Sequence, residues 1–257
     1  MVYNIITGAS GVLGKEFCSY FASLGENLII TARDNEKLKE LANSLTKRFN
    51  ISVEYFACDM ASEIDRQNFF DFLNDFEIGK LILVCGNDNQ MAFKEYSQEK
   101  IITQIRANFE SQVCLTNYAL GKMKKGSTIL AISSLTATLA MPYFAIYSSC
   151  KRAQLDFFRA IKREYKGYNI TVALPSSMPT RQDVILDIKK QGLTGKLASQ
   201  PVEKVVKVCC KKASKNKDVV IIGAYNKLIY FLNKITPLKL QQKIIEKKFK
   251  NKRKENF

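Results

Sequence analysis

The stretch Val2-Tyr3-Asn4-Ile5-Ile6-Thr7-Gly8-Ala9-Ser10-Gly11-Val12-Leu13-Gly14 decides the fold. Residues 2–7 are apolar and β-branched and read as a buried strand. Glycines at 8, 11 and 14 make a turn, and an amphipathic helical pattern over about 12–24 follows directly. A strand that feeds a helix through such a turn aims backbone N–H groups and the positive helix end at one point. Glycine there lets a pyrophosphate approach the backbone closely. Gly8, Ser10, Gly11, Val12, Leu13 and Gly14 are therefore the candidate phosphate-binding residues of a dinucleotide site.

Outward from that turn, short β-branched runs at 27–32, 51–57, 80–85, 127–133, 169–174 and 218–222 alternate with helical patterns at 35–48, 63–75, 98–122, 147–166 and 202–213. Asp34 or Asn35 suits the cap of the second helix, and Ser62 with Asp65 resembles a capping box opening the third. Strands buried on both faces and alternating with helices predict an α/β protein: a single-domain Rossmann fold with a doubly wound parallel sheet of about seven strands. Residues 1–223 would form this nucleotide-binding domain and carry the site. Residues 224–257 read as a basic, amphipathic, helical C-terminal extension interrupted at Pro237.

Composition narrows the chemistry. With His 0 in 257 residues, a Ser-His-Asp triad, a Cys-His pair and a His-bearing zinc site are all excluded. Proton transfer then falls to carboxylates, Cys, Tyr or Lys. Seven cysteines without a C-x-x-C pair read as reduced, buried thiols in a cytosolic protein, with no metal site expected. The start of the chain does not read as a cleavable signal, and no apolar run is long enough to span a membrane. The net charge of +16 is uneven: residues 1–180 hold 20 Lys/Arg against 18 Asp/Glu, residues 181–257 hold 20 against 6. Specific nucleic-acid binding is not expected from so neutral a body. In 224–257, apolar positions such as Leu228, Phe231, Ile235, Leu240 and Ile244 lie beside 10 Lys/Arg. Such helices suit an anionic membrane surface, packing on the domain, or packing on a sister subunit. The expected location is cytoplasmic, with a peripheral contact at the inner face of a membrane as the further reading.

The tip of the second strand, Thr31-Ala32-Arg33-Asp34, reports on the cofactor. An acid at the tip would bind the ribose 2′-hydroxyl of NAD; here the tip is uncharged and Arg33 offers a fork for a 2′-phosphate, favouring NADP (as NADPH) over NAD.

The glycine turn, with its Thr7-Gly8-Ala9-Ser10 opening and terminal Gly14, resembles the first motif of the short-chain dehydrogenase/reductase family, in its classical form. The resemblance runs from residue 1 to about 223. It implies that Asp59, past the third strand, binds adenine, and that Gly86 follows the fourth strand in a cofactor loop. It implies too that Pro175 and Thr180 belong to a loop covering the nicotinamide. Tyr precedes Lys by four residues at 96/100, 118/122, 147/151 and 230/234. The family places a catalytic serine about 13 residues before its tyrosine; stepping back gives Leu83, Ile105, Ser134 and Lys217, so only Tyr147 qualifies. The implied catalytic set is Asn108, Ser134, Tyr147 and Lys151. Tyr147 is the acid/base, its pKa lowered by the Lys151 ammonium one helical turn away. Ser134 polarises the substrate oxygen, Lys151 also binds the nicotinamide ribose, and Asn108 helps hold a relay water.

The activity so implied is an NADP-dependent oxidoreductase moving hydride between the cofactor and a carbonyl or secondary alcohol, in a homodimer or homotetramer. Two alternatives remain: a non-catalytic cofactor-sensing or RNA-binding protein on the same scaffold, and an NAD-dependent nucleotide-sugar epimerase or dehydratase, to which the 8/11/14 glycine spacing is similar. The segment 181–200 is expected to form a lid.

Overall fold

The computed structural model describes residues 1–250, so the last seven residues of the basic extension lie outside the description. Seven strands, β1 (Val2–Thr7), β2 (Asn27–Ala32), β3 (Val53–Ala57), β4 (Glu77–Leu83), β5 (Thr128–Ile132), β6 (Asn169–Leu174) and β7 (Val219–Ile221), pair in parallel in the order β3-β2-β1-β4-β5-β6-β7. The order reverses between β1 and β4. In such sheets a ligand crevice opens there, beyond the carboxyl ends of the strands.

Helices cover both faces. On one side α1 (Val12–Ala22), α2 (Asn35–Phe49) and α9 (Val202–Ala213) bury Phe17, Leu38 and Val206 against Ile6, Ile30 and Leu130. On the other, α3 (Glu63–Phe72), α5 (Ser111–Lys122) and α6 (Ala145–Glu164) bury Phe69, Leu115 and Phe158 against Ile5, Leu81 and Ile129. Truncating one such fully buried phenylalanine to alanine costs about 3–5 kcal/mol, a sizeable share of the stability of a domain this size. The caps fall where expected. The Asp34 carboxylate accepts from Lys37 N, and the Ser62 hydroxyl accepts from Asp65 N.

Two segments differ from the sequence expectation. Strand β4 runs over 77–83 rather than 80–85. Gly79 sits opposite a register shift between Tyr3 and Asn4, where an added Cβ would lie 2.6 Å from the Val2 side chain; it is a bulge and not the start of a strand. The strand stops early because the N–H groups of Val84 and Cys85 both donate to Thr7 Oγ1, at 3.0 and 3.1 Å. The helix expected over 98–122 is interrupted. After α4 (Gln98–Ile105) residues Arg106–Glu110 form a π-helical turn, in which Ser111 N reaches back to Arg106 O.

The segment 181–200 folds as two short helices, α7 (Gln182–Lys190) and α8 (Gly192–Ala198). The extension forms α10 (Ala224–Ile235) and α11 (Leu238–Phe249), broken at Pro237 as expected. It does not hang free: Asn233 Nδ2 donates to Thr138 Oγ1 at 2.9 Å, and Ile245 is buried against Met141 and Phe144. All seven cysteines are free thiols, five of them buried. Among the described residues no helix is long and apolar enough to cross a membrane.

Candidate active site

One continuous cleft of about 1260 Å³ runs along the carboxyl ends of the strands, from the glycine turn to α11. Gly8, Ser10, Gly11, Val12, Leu13, Gly14, Arg33, Asp59, Gly86, Ser134, Tyr147, Lys151, Pro175 and Thr180 all line it. Asn108 alone among the expected residues lies behind the wall, fully buried.

The turn at the head of the cleft is set by backbone contact. An added Cβ on Gly14 would lie 2.1 Å from the carbonyl oxygen of Gly8, so only glycine fits there. Gly8 itself has φ +64, and a Cβ there would meet Cys85 Cα at 3.1 Å. Gly11 is the N-cap of α1 and supplies no side-chain cap, and the first turn carries no acid. The leading N–H groups of this helix are thereby left to an anion. Val12 is the first helical residue, with its side chain half exposed on the cleft. The turn fits a dinucleotide phosphate by shape.

At the tip of β2, Asp34 is spent on capping α2 and on an ion pair with Lys37 at 2.6 Å. Arg33 is exposed, lines the cleft and, among the described residues, has no carboxylate partner. Asp59 accepts from Ala61 N at 2.9 Å while facing the cleft, so it both turns the chain into α3 and edges the cleft.

The catalytic candidates converge at the ends of β4 and β5. Helix α6 starts at Ala145 and presents Tyr147 and Lys151 on one face of its first two turns. Lys151 is buried; its Nζ donates to the carbonyl oxygen of Ile132 at 3.0 Å and lies 5.6 Å from the centre of the Tyr147 ring. Burial lowers the Lys151 pKa to about 8. Ser134 caps the short turn Leu135–Thr138 by accepting from Thr136 N at 3.2 Å, which leaves its own proton free. Ser134 and Tyr147 line the same cleft. A Cβ on Gly86 would lie 2.6 Å from Asn108 Oδ1 and 3.4 Å from Lys151 Nζ, so a side chain there would run into both groups.

Burial of the phenol, and then the nearby carboxylate of Asp88, raise the Tyr147 pKa above its ordinary value; Ser134 and Arg181 act the other way and lose. This is opposite to the direction expected from the ammonium alone. The cause is desolvation, which disfavours the charged form of both partners at once. At neutral pH the phenol therefore holds its proton.

Several residues of the cleft carry no local signal in the sequence. Arg181 pairs with Asp88 at 3.1 Å and with Asp183 at 3.2 Å, bridging the loop after β4 to the start of α7. Gln154 of α6 donates its Nε2 to the carbonyl oxygen of Asn108, holding the π-helical turn open. Asn108 Nδ2 donates to Asn87 O and Gln104 O, each at 2.9 Å, while its Oδ1 is buried without a hydrogen-bond partner. Only the π turn itself hints at function, since such turns recur at working sites.

A parallel sheet with a glycine turn at the switch point and a Ser-Tyr-Lys set across the cleft defines a dinucleotide-dependent oxidoreductase scaffold. Residues 3–184 match the model of the short chain dehydrogenase family, and the chain belongs to that family, whose members act on CH–OH and carbonyl groups. Among curated proteins it is similar to hydroxysteroid 11-beta-dehydrogenase 1-like protein A of Xenopus laevis, 26% identical over 196 residues, covering 73% of this chain and 66% of that one. It is also similar to very-long-chain 3-oxoacyl-CoA reductase of Rattus norvegicus, 27% identical over 240 residues, covering 88% and 75%. A solved short-chain dehydrogenase from Sphingobium yanoikuyae in complex with NADPH shares the fold, with TM-score 0.77, 20% identity and coverage of 100% and 98%.

Proposed function

We propose that the protein is an NADP(H)-dependent reductase or dehydrogenase of a carbonyl or secondary alcohol, with Tyr147 as its acid/base. The observation that carries this reading is the meeting of Tyr147, Ser134 and Lys151 in the same cleft that begins at the glycine turn. When bound, the nicotinamide supplies or accepts the hydride. In reduction the Ser134 hydroxyl donates to the carbonyl oxygen and polarises it, and Tyr147 gives that oxygen its phenolic proton. Lys151, fixed by Ile132 O, offsets the charge left on the phenol. Asn108 is a positioning residue that fixes the loop after β4 by donating to Asn87 O behind Gly86. Tyr147→Phe should leave NADPH affinity within about twofold and reduce turnover about 10²- to 10⁴-fold; near-normal turnover sinks the assignment. Asp88→Asn removes the carboxylate that raises the phenol pKa. The pKa then falls, and the alkaline rise of alcohol oxidation should move to lower pH in a rate profile. An unmoved profile would show that Asp88 does not act on the phenol.

Arg33, unpaired at the tip of β2, supports NADP over NAD, and the diversion of Asp34 to Lys37 removes the acid that an NAD ribose would need. A charge-assisted hydrogen bond contributes about 1.5–3 kcal/mol. Arg33→Asp should therefore shift the NADPH/NADH preference in kcat/KM by about tenfold or more toward NADH, and an unchanged ratio would overturn the role of Arg33.

Exposed Ile102 and Ile105 on α4 support an assembly of two or four chains through that helix. On the outer side of α10 and α11, Phe231, Ile235, Leu238 and Leu240 are exposed among lysines, which supports a peripheral contact with an anionic bilayer. Sedimentation of the full chain, alone and with anionic or zwitterionic vesicles, reads both. The expected result is a dimer or tetramer that pellets with anionic vesicles only; a monomer indifferent to vesicles removes both readings.

A further inference from the structure

The cleft does not end at Tyr147. Beyond the phenol it continues under α10 and α11, elements that lie outside the residues matched by the family model. On the protein side its wall is Met141 and Phe144, with the Phe144 ring stacked on Tyr147 at 4.5 Å between centres. On the helix side it is lined by Ile229 and Leu232 of α10 and by Ile244 and Ile245 of α11. Ile245 closes the end by packing on Met141 and Phe144.

Several polar groups of this arm are engaged internally, while the buried Asn226 Oδ1 and Thr136 Oγ1 have no partner. Asn233 Nδ2 is held by Thr138 Oγ1 at 2.9 Å, and Gln241 Nε2 donates to Asn233 O and Thr236 O at 2.7 and 2.8 Å. Among the described residues, no lysine of α10 or α11 lines the cleft. Near the phenol the charged residues Asp88 and Arg181 are paired with each other. A polar substrate body would find few free partners in this arm and would lose its own hydration. A hydrocarbon body would lose nothing and would cover Leu232 and Ile244, which stand exposed at the lips with 39% and 59% of their surface open.

We infer that the arm under α10 and α11 is the binding site for the hydrocarbon body of the substrate, a ketone or secondary alcohol bearing an extended apolar group whose oxygen reaches Ser134 and Tyr147. This rests on the oxidoreductase reading for the oxygen end, and on the apolar lining alone for the rest. The family-wide catalytic set fixes where the oxygen goes; the two helices outside the matched region fix what is attached to it.

The test is binding, read by titration calorimetry of the full-length protein with and without NADPH, across 2-alkanols from butanol to dodecanol. Affinity should rise about fourfold per added methylene until the arm is filled. Leu232→Asp and Ile244→Asp, both at exposed positions, should flatten that slope while thermal unfolding and NADPH affinity stay as in the wild type. Leu228→Asp, equally exposed on α10 but not lining the cleft, should keep the slope. A flat series in the wild type, or a slope unchanged in both lip variants, overturns the inference. Chain-length-dependent binding without oxidation of any of these alcohols by NADP, or reduction of the matching 2-ketones by NADPH, would leave the apolar site standing and remove the oxidoreductase reading.

Discussion

The hydrogen bond from Lys151 Nζ to the carbonyl oxygen of Ile132 is the interaction on which the site depends. It ties the first turns of α6 to the end of β5, and it holds an amine in a place where burial has already brought its pKa down to about 8. Leaving such a group unpaired in the interior would cost several kcal/mol. Around it the chain makes room: Gly86 has no Cβ because Asn108 Oδ1 and the amine occupy that space, and the π-helical turn brings Asn108 up to the same point. The end of β5 and helix α6 meet at this nitrogen, and Gly86, just past β4, lies close by. Displacing it would move the phenol, the serine and the loop after β4 together.

The parts of this arrangement that follow from local spacing were readable in the sequence. The glycine turn, the Tyr147–Lys151 offset, Ser134 at a strand end and the uncharged tip of β2 need only neighbours along the chain to make sense. What needed three dimensions did not show. Nothing between residues 98 and 122 breaks a helix by propensity; the carbonyl oxygen of Asn108 inside the interruption accepts from Gln154, more than forty positions later. Asp88 and Arg181 are 93 positions apart and neither belongs to a motif. The raised phenol pKa was hidden for the same reason, because burial and the charge of Asp88 belong to the folded chain and not to the pair of residues read alone.

The extension shows how two readings of one amphipathic stretch can hold together. Its inner faces pack on the segment from Thr138 to Phe144 and complete the cleft, while Lys227, Lys234, Lys239 and Lys243, with Phe231, Ile235, Leu238 and Leu240, are exposed. Docking on the protein and presenting a basic surface are properties of opposite sides of the same helices. The family-matched body ends before either helix begins.

Helix α11 follows every strand of the sheet in chain order, yet Ile245 helps to roof the phenol carried by α6. During synthesis the sheet, the glycine turn and the serine, tyrosine and lysine are all translated before that roof. Domains generally begin to organise from their N-terminal parts as the chain emerges. A nascent chain can thus assemble the nucleotide half of its cleft while the other half is still open to water, and the cleft gains its far wall only when α11 docks.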